Sequence, residues 1–294
     1  MTQAPSRPPD PPPASAEDAL RDSAFAGELA FALETAQRAG ELQVERSESV
    51  GRIDYKSAKD VVTEVDHLSE ALILNAIREA FPGDALLAEE TGGHVAASGH
   101  EATSGVGRAW VVDPLDGTIN YANGIPFHCV SIALAIDGRA VVGVIHDPVR
   151  RESYAASSDS PALLYGSAAL QPSEVRASVK EQLSDYVVSM SLSGRAVISR
   201  IRTVRKAVRV SRNMGSASLA LAYVANGRFD AFVQQGGLST WDVAAAGLIA
   251  ERAGATVTDL EGGPWFDITK PTRSIGLLAA PPRHHAELLK LAAG

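Results

Sequence analysis

The sequence predicts an α/β protein. Runs with helical spacing of apolar residues interleave along the chain with short apolar runs that are typical of strands. The runs do not follow the regular alternation of a βαβ repeat. Of the 294 residues, 45% are hydrophobic but only 5% are aromatic, so the core must consist mainly of Ala, Val, Leu and Ile. This length allows one large domain or two small ones.

Two helices are predicted near the start of the chain. Residues 16–43 have helical spacing with an Ala-rich small face, and residues 66–81 form a second amphipathic pattern. We expect Asp66 to be the N-cap of the second helix, since a short polar side chain at that position can accept a hydrogen bond from the first turn. The Pro82-Gly83 pair that follows should end this helix.

The middle of the chain predicts mainly strands. Residues 85–93 form a short apolar run that includes two glutamates, and residues 91–107 are rich in Gly, Ser, Ala and His, which predicts a mobile surface loop. Residues 108–117, RAWVVDPLDG, are typical of a strand and its exit. Residues 127–149 predict two strands joined by the dipeptide 137–138, Asp-Gly, which favours a tight hairpin.

The last third of the chain predicts helices and strands in alternation. Residues 150–185 give no clear pattern. A helix is expected within 214–227, then a strand at 229–234, and a helix followed by a strand within 241–260. A final strand and helix are expected within 274–294.

Composition and charge exclude several classes of protein. The formal net charge is −8, which argues against a nucleic-acid partner, and the basic stretch 200–212 is interpreted as a solvated face. The single cysteine, Cys129, excludes an internal disulfide and is expected in the core. No apolar run approaches the length of a membrane span. Residues 1–16 are proline-rich and predict a disordered tail, and a cytoplasmic location without membrane contact is expected.

Carboxylates recur where the predicted elements begin or end. They are Asp60, Asp66, Glu89, Glu90, Asp113, Asp116 and Asp242. Taken singly, each is explained by a turn or a helix cap. Several carboxylates at one point would repel one another and would persist only with a cation between them. Oxygen donors without thiolates or a histidine cluster favour a hard ion such as Mg²⁺.

Four blocks of the chain, in order, resemble the signature blocks of the inositol monophosphatase family, which are Mg²⁺-dependent, lithium-inhibited phosphatases. The blocks are KSAKDVVTEVD at 56–66, LLAEET at 86–91, WVVDPLDGTIN at 110–120 and WDVAAAGLIAERAGATVTD at 241–259. The resemblance implies a layered α/β/α/β/α sandwich of the inositol monophosphatase and fructose bisphosphatase type. It implies that residues 17–294 form one metal-dependent phosphatase domain, and a homodimer is expected.

The resemblance also implies a metal site of two to three Mg²⁺ ions. One ion would be held by Glu89, Asp113 and the backbone carbonyl of Leu115. A second would be held by Asp113, Asp116 and Asp242, so that Asp113 bridges the two. A third, weaker ion would reach Glu89 through water, and Glu89 is therefore counted among the catalytic residues.

The same resemblance assigns the catalytic and substrate-binding residues. Thr118, hydrogen-bonded to Asp66, would orient and help to deprotonate the attacking water. The backbone of Gly117 and Thr118 would hold the phosphate. The other expected substrate contacts are Asp116, Gly215, Ser216, Ala217, Gln234, Gln235 and Asp242. Glu90 and Asp60 would have supporting roles.

The sequence departs from the family at one place that concerns the substrate. Relatives often carry a glutamate shortly before the Trp-Asp block, whereas here residues 233–242 read VQQGGLSTWD, with Gln234, Gln235 and one extra residue. The expected substrate is myo-inositol monophosphate. Histidinol phosphate, fructose bisphosphate and adenosine bisphosphate remain alternatives.

The sequence leaves two alternatives to this mechanism. A phosphatase with a nucleophilic aspartate would be expected to show Asp-x-Asp near the start of its domain, whereas this chain has Asp-x-x-Asp at 113–116, which favours an activated water. A catalytically idle relative that binds a partner protein is the non-enzymatic alternative.

Overall fold

The computed structural model describes residues 22–47, 53–57, 60–96, 107–166, 171–192, 198–270 and 273–293. The predicted tail, residues 1–16, lies outside this part of the chain. Within it, no helix is both long and apolar enough to cross a membrane.

The described residues contain seven α-helices and fifteen strands. The helices are α1 (Ala26–Arg46), α2 (Glu64–Ala80), α3 (Thr118–Ala122), α4 (Ile198–Ala207), α5 (Ala217–Ala225), α6 (Thr240–Arg252) and α7 (Pro282–Ala293). The first strands are β1 (Ile53–Ser57), β2 (Asp60–Thr63), β3 (Ala85–Ala88), β4 (Gly93–Ala96), β5 (Arg108–Asp116), β6 (Cys129–Ile136), β7 (Arg139–Asp147) and β8 (Glu152–Ser157). The others are β9 (Leu163–Gly166), β10 (Ser173–Glu174), β11 (Val187–Ser191), β12 (Val210–Arg212), β13 (Ala231–Leu238), β14 (Thr256–Thr258) and β15 (Ile275–Ala280).

The strands form two large sheets and one hairpin. The larger sheet has the order β10-β9-β8-β7-β6-β5-β3-β4, and the smaller has the order β12-β11-β13-β15-β14. In the larger sheet β3 and β5 are parallel and the other neighbours are antiparallel. In the smaller sheet β11 is parallel to both β12 and β13. Strands β1 and β2 pair antiparallel as a separate hairpin.

The sheets and helices stack in five layers. Helices α1 and α2 pack on the outer face of the larger sheet, in a cluster that includes Ile73, Trp110 and Ile132. Helices α5 and α6 lie between the sheets. Helices α4 and α7 cover the outer face of the smaller sheet, around Tyr186 and Leu288. This order confirms the α/β/α/β/α sandwich that the sequence implies.

Small residues allow the middle helix layer to approach the larger sheet closely. A Cβ on Gly143, in β7, would lie 2.7 Å from the carbonyl oxygen of Ala245 in α6. Backbone cannot move aside as a side chain can, so this position requires glycine. The Ala-rich composition of α6 therefore positions this helix, and the carboxylate at its start, against the sheet.

Several elements differ from the expectations drawn from the sequence. The first helix is described from Ala26 to Arg46, so it ends three residues later than expected. The loop predicted at 91–107 was wrong for Gly93–Ala96, which pairs with β3 as an edge strand, and residues 97–106 lie outside the described part of the chain. Residues 150–185, for which the sequence gives no clear pattern, contain β8, β9 and β10. The hairpin at 137–138 is confirmed, with both residues at positive φ.

Candidate active site

Strand β5 carries two carboxylates to one end of the larger sheet. The strand is buried through Val112, Asp113 and Leu115, and its pairing with β6 shifts register between Asp113 and Asp116. This irregularity turns the end of the strand into the short helix α3. Gly117 is the N-cap of that helix with φ +99, in the left-handed region that favours glycine. The chain therefore changes direction immediately after its two carboxylates.

Three carboxylates converge at this point. Oxygens of Asp113, Asp116 and Asp242 all lie within 4.8 Å of one another. Asp113 is 1% exposed, and its pKa is raised well above the ordinary value, first by burial and then by the charges of Glu89, Asp116 and Asp242. Burial and the charge of Asp116 also raise the pKa of Asp242 well above its usual range. Glu89 lies beside Asp113 and extends the cluster.

This donor set fits a divalent cation. The carboxylates supply only oxygen ligands, which is the set that hard ions such as Mg²⁺ prefer. Burial first, and the neighbouring carboxylates second, disfavour the charged forms of Asp113 and Asp242, and a cation among them would oppose both effects. The cluster of Asp113, Asp116 and Asp242 could therefore hold a metal ion.

Asp66 and Thr118 form a second polar unit beside the cluster. The Thr118 hydroxyl lies 2.8 Å from Oδ1 of Asp66 and 3.1 Å from the carbonyl oxygen of Leu115. The expectation that Asp66 caps α2 was wrong by three positions. Thr63 is the N-cap, and Asp66 accepts the backbone N–H and the hydroxyl of Thr63 at Oδ2. Burial raises the pKa of Asp66, although these hydrogen bonds oppose the effect.

Asp242 has the same relation to its helix. Ser239 is the N-cap of α6, and its backbone N–H donates to Oδ2 of Asp242 at 2.6 Å. Asp242 thus occupies the third helical position of a capping box, where one oxygen is held and the carboxylate is fixed in orientation. Ser239, and not Asp242 itself, is therefore the N-cap residue of α6.

Asp116 is held by the start of α5. The hydroxyl of Ser216 lies 2.7 Å from Oδ2 of Asp116, and the backbone N–H of Ser218 lies 2.6 Å from the same oxygen. Gly215, just before this helix, has φ +82, and a Cβ there would meet the amide of Asn120 at 2.9 Å. Ser216, which the sequence assigned to the substrate, thus contacts Asp116, and Gly215 lets the chain approach α3.

A cavity of about 220 Å³ opens in front of these groups. It is lined by Asp116, Ser189, Ser191, Asn213, Met214, Gly215, Ser216, Ala217, Phe232, Gln234, Gly237, Leu238 and Asp242. The structure therefore brings together most of the expected substrate contacts. Gln235 lies elsewhere, because successive residues of β13 face opposite sides of the sheet, and it lines a separate cavity with Asp259 and Trp265.

Some residues of the site were not found from the sequence. The backbone N–H of Glu90 donates to the buried carboxylate of Glu70 at 2.8 Å, which anchors the segment after β3. Thr63 and Ser218, described above, were also missed. The spacing Thr-x-x-Asp at 63–66 is a capping-box pattern, and it predicts Thr63 as the N-cap residue of α2. The side chain of Asp60 lies outside the described residues.

The fold and the site define a layered α/β protein with a buried acidic centre. The sequence profile of the inositol monophosphatase family matches residues 27–293. The chain belongs to the inositol monophosphatase family.

Two relatives illustrate the similarity. The chain is 38% identical over 249 residues to the Nus factor SuhB of Pseudomonas aeruginosa, covering 81% of this chain and 87% of the relative. It is also 38% identical over 247 residues to inositol monophosphatase 2 of Solanum lycopersicum, covering 81% and 89%.

Solved structures agree with this assignment. The extragenic suppressor protein SuhB of Bartonella henselae matches with a TM-score of 0.78 and 31% identity, over 90% of this chain and 98% of that one. An IMPase of Thermotoga maritima matches with a TM-score of 0.77 and 30% identity, over 90% and 96%. Family membership and the acidic cluster support a metal-dependent phosphatase.

Proposed function

We propose that the chain hydrolyses a small phosphomonoester, with myo-inositol monophosphate as the substrate and two to three Mg²⁺ ions as the cofactor. The observation that carries the proposal is the buried cluster of Asp113, Asp116 and Asp242, which lies next to the hydrogen-bonded pair of Thr118 and Asp66. The carboxylate cluster can bind cations, and the pair of Thr118 and Asp66 can accept a proton. Hydrolysis by an activated water requires both.

The carboxylates and Leu115 would hold the ions. Asp113 is the most central of them, since Glu89, Asp116 and Asp242 all act on it. The Leu115 carbonyl lies close by, within reach of the Thr118 hydroxyl. When bound, divalent ions lower the pKa of water and stabilise charge on phosphoryl oxygens.

Thr118 and Asp66 would position the attacking water and receive its proton. The Thr118 hydroxyl donates to Asp66, so its oxygen retains lone pairs that can accept a hydrogen bond from water. Threonine is too weak an acid to act as the base, but Asp66 can take up a proton through this hydroxyl. Its raised pKa makes it a better acceptor than an exposed aspartate.

The start of α3 and the cavity would bind the substrate. Gly117 and Thr118 present backbone N–H groups at a helix N-terminus, next to the carboxylate cluster. Gln234 faces the cavity and its amide N–H group lies 3.2 Å from the carbonyl oxygen of Gly236. Its amide oxygen can accept from a polyol hydroxyl, but one neutral acceptor binds less strongly than a carboxylate.

The Gln234→Glu variant is therefore expected to discriminate more sharply among substrates. The ratio of kcat/KM for inositol monophosphate to that for glycerol 2-phosphate should rise about tenfold, because a charged acceptor strengthens bonds to ring hydroxyls that glycerol lacks. Gln235→Glu is the matched control, because this side chain lines the other cavity, and it should leave the ratio unchanged. Phosphate release from both compounds is measured for all three proteins.

Each possible result of these assays bears on a different residue or substrate. An unchanged ratio in Gln234→Glu would show that this side chain does not contact the substrate. Turnover of histidinol phosphate without turnover of inositol monophosphate would refute the substrate but not the mechanism. Fructose bisphosphate and adenosine bisphosphate are included in the panel for the same purpose.

A binding role within a transcription complex is a second candidate function. The similarity to the Nus factor SuhB of Pseudomonas aeruginosa favours it. The exposed basic residues of α4 and β12 are compatible with an acidic partner. The absence of phosphate release from every compound of the panel would favour this candidate. A cytoplasmic location, a homodimer, lithium sensitivity and the lack of a nucleic-acid partner stay predictions.

A further inference from the structure

We propose that Gln43, near the end of α1, is a positioning residue that fixes the orientation of Asp113 and thereby the affinity of the carboxylate cluster for Mg²⁺. The inference rests on the proposed function, since the ions concerned are those of the proposed reaction. It gives α1, which supplies none of the expected metal ligands, a role in the metal site.

Gln43 is a polar residue at a position where the pattern of α1 predicts an apolar one. The buried face of this helix consists mainly of small and apolar residues, among them Leu29, Ala32, Ala36, Ala39 and Gly40. Gln43 continues the same helical spacing and is 0% exposed. Glutamine is seldom fully buried, and a buried polar group is usually held by hydrogen bonds. The partners of Gln43 therefore indicate its role.

The side-chain amide of Gln43 contacts the backbone between the two carboxylates of β5. Its Nε2 donates to the carbonyl oxygen of Pro114 at 2.8 Å. The pairing of β5 with β6 shifts register between Asp113 and Asp116, so Pro114 lies where the strand ladder is irregular. Within the described part of the chain, Oε1 of Gln43 has no hydrogen-bond partner. The N–H group is therefore the part of the amide that holds the end of β5.

The peptide group that joins Pro114 to Leu115 transmits this contact to Asp113. Its carbonyl oxygen accepts from Gln43, and its N–H, which belongs to Leu115, donates to Oδ1 of Asp113 at 3.1 Å. A peptide group is planar, so a bond that fixes its oxygen also fixes the direction of its N–H. Gln43 therefore holds one oxygen of Asp113 in place through a single rigid group.

Tyr121 of α3 holds Gln43 from the other side. The Tyr121 hydroxyl donates to the backbone carbonyl oxygen of Gln43 at 2.8 Å, and its ring packs with Val65 and Leu115 in a small buried cluster. The turn that carries the expected ligands thus contacts the same residue of α1 twice, at Pro114 and at Tyr121. These two bonds fix Gln43 relative to the turn.

The orientation of Asp113 matters because Mg²⁺ demands near-ideal octahedral geometry. A carboxylate that is already held in the binding orientation loses little freedom when it binds a cation. Removing the bond from Gln43 should therefore weaken the affinity for Mg²⁺. The rate at saturating Mg²⁺ should change much less, because Asp113 would then be oriented by its contact with the ions.

The test compares the wild type with Gln43→Met and the control Thr35→Val. Methionine is similar in length to glutamine and adapts to its surroundings, but it has no N–H to donate. Thr35 is also a buried polar residue of α1, and it lies about 12 Å from Gln43 along the helix. The dissociation constant for Mg²⁺ is measured by titration calorimetry, together with the rise of Tm on addition of Mg²⁺ and the kcat at saturating Mg²⁺.

We expect Gln43→Met to raise the dissociation constant for Mg²⁺ about tenfold and to reduce the rise of Tm, with a much smaller change in kcat. Thr35→Val should leave the dissociation constant unchanged. Tyr121→Phe, which deletes only the hydroxyl bonded to Gln43, should raise the constant by a smaller factor, about threefold. This milder variant keeps the test available if Gln43→Met does not fold.

Three results would overturn the inference. One is an unchanged dissociation constant in Gln43→Met, whatever its Tm in chelator, since the bond would then stabilise only the fold. Another is an equal rise in Thr35→Val, which would indicate a general effect of polar residues in α1. If Gln43→Met does not fold, an unchanged constant in Tyr121→Phe is the third. If no protein releases phosphate but the wild type binds Mg²⁺, the proposed function fails, and the calorimetric comparison still decides the role of Gln43.

Discussion

Replacing Asp113 with asparagine is expected to remove nearly all phosphate release while the fold stays intact. Asp113 is 1% exposed and interacts with every other carboxylate of the cluster, so its charge is central to any bound cation. An asparagine has nearly the same shape, and its amide oxygen can still accept the backbone N–H of Leu115, which lies 3.1 Å from Oδ1. The steady-state rate of phosphate release is the measurement.

The stability of the same variant provides an independent readout. Burial and the neighbouring carboxylates raise the pKa of Asp113, which means that its charged form is disfavoured in the folded protein without a cation. Asp113→Asn should therefore be at least as stable as the wild type in chelator. Added Mg²⁺ should raise the Tm of the wild type, since binding to the folded state stabilises it, and should raise that of the variant much less.

The control for this variant is Asp159→Asn. Asp159 accepts hydrogen bonds from Ser23 and Ala24 in a turn outside the site, so its replacement should leave both activity and the response to Mg²⁺ unchanged. Substantial activity in Asp113→Asn, or the same Mg²⁺-dependent rise of Tm as in the wild type, would contradict the role given to Asp113.

Replacing Thr118 with alanine is expected to lower kcat about 10²–10³-fold, the usual loss when one hydrogen bond to a reacting group is removed. The Thr118 hydroxyl lies 2.8 Å from Asp66 and is not part of the acidic cluster. The affinity for Mg²⁺, measured by the dependence of the rate on Mg²⁺ concentration, should therefore change little. This separation of kcat from metal affinity distinguishes the proposed proton path from a role in holding the ions.

The conservative variant Thr118→Ser serves as its control. Serine keeps a hydroxyl that can donate to Asp66, so most of the lost rate should return. A wild-type kcat in Thr118→Ala would refute the path through Asp66. A large loss in Thr118→Ser would show instead that the methyl group, and hence packing, is what matters.

Local patterns predicted much of the fold. The dipeptide at 137–138 specified the hairpin of β6 and β7, because Gly138 has φ +76 and Asp137 tolerates φ +49. The apolar run into Asp113 specified β5 in the same way. Where pairing depends on distant residues, prediction failed. The sequence around Gly93–Ala96 is polar and rich in glycine, which is not typical of a strand. The segment nevertheless forms a strand because it pairs antiparallel with β3 at the edge of the larger sheet.

The candidate site was predictable in its residue types but not in its details. The sequence singled out Asp66 and Asp242 near helix starts, but their position within a capping box depends on Thr63 and Ser239, which lie three residues earlier. Strand alternation implies that Gln234 and Gln235 face opposite sides. Only the sheet shows which of them faces the cavity, since that depends on the helices packed against each face.

Phosphate release is expected to require cations held by the carboxylate cluster. The most direct measurement is phosphate release from myo-inositol monophosphate by the wild type in excess chelator, and again after Mg²⁺ is restored. We expect no release above background in chelator and full recovery with Mg²⁺, because cations held by Asp113, Asp116 and Asp242 would lower the pKa of the attacking water and stabilise charge on the phosphoryl oxygens. Turnover in chelator equal to that with Mg²⁺ would contradict it.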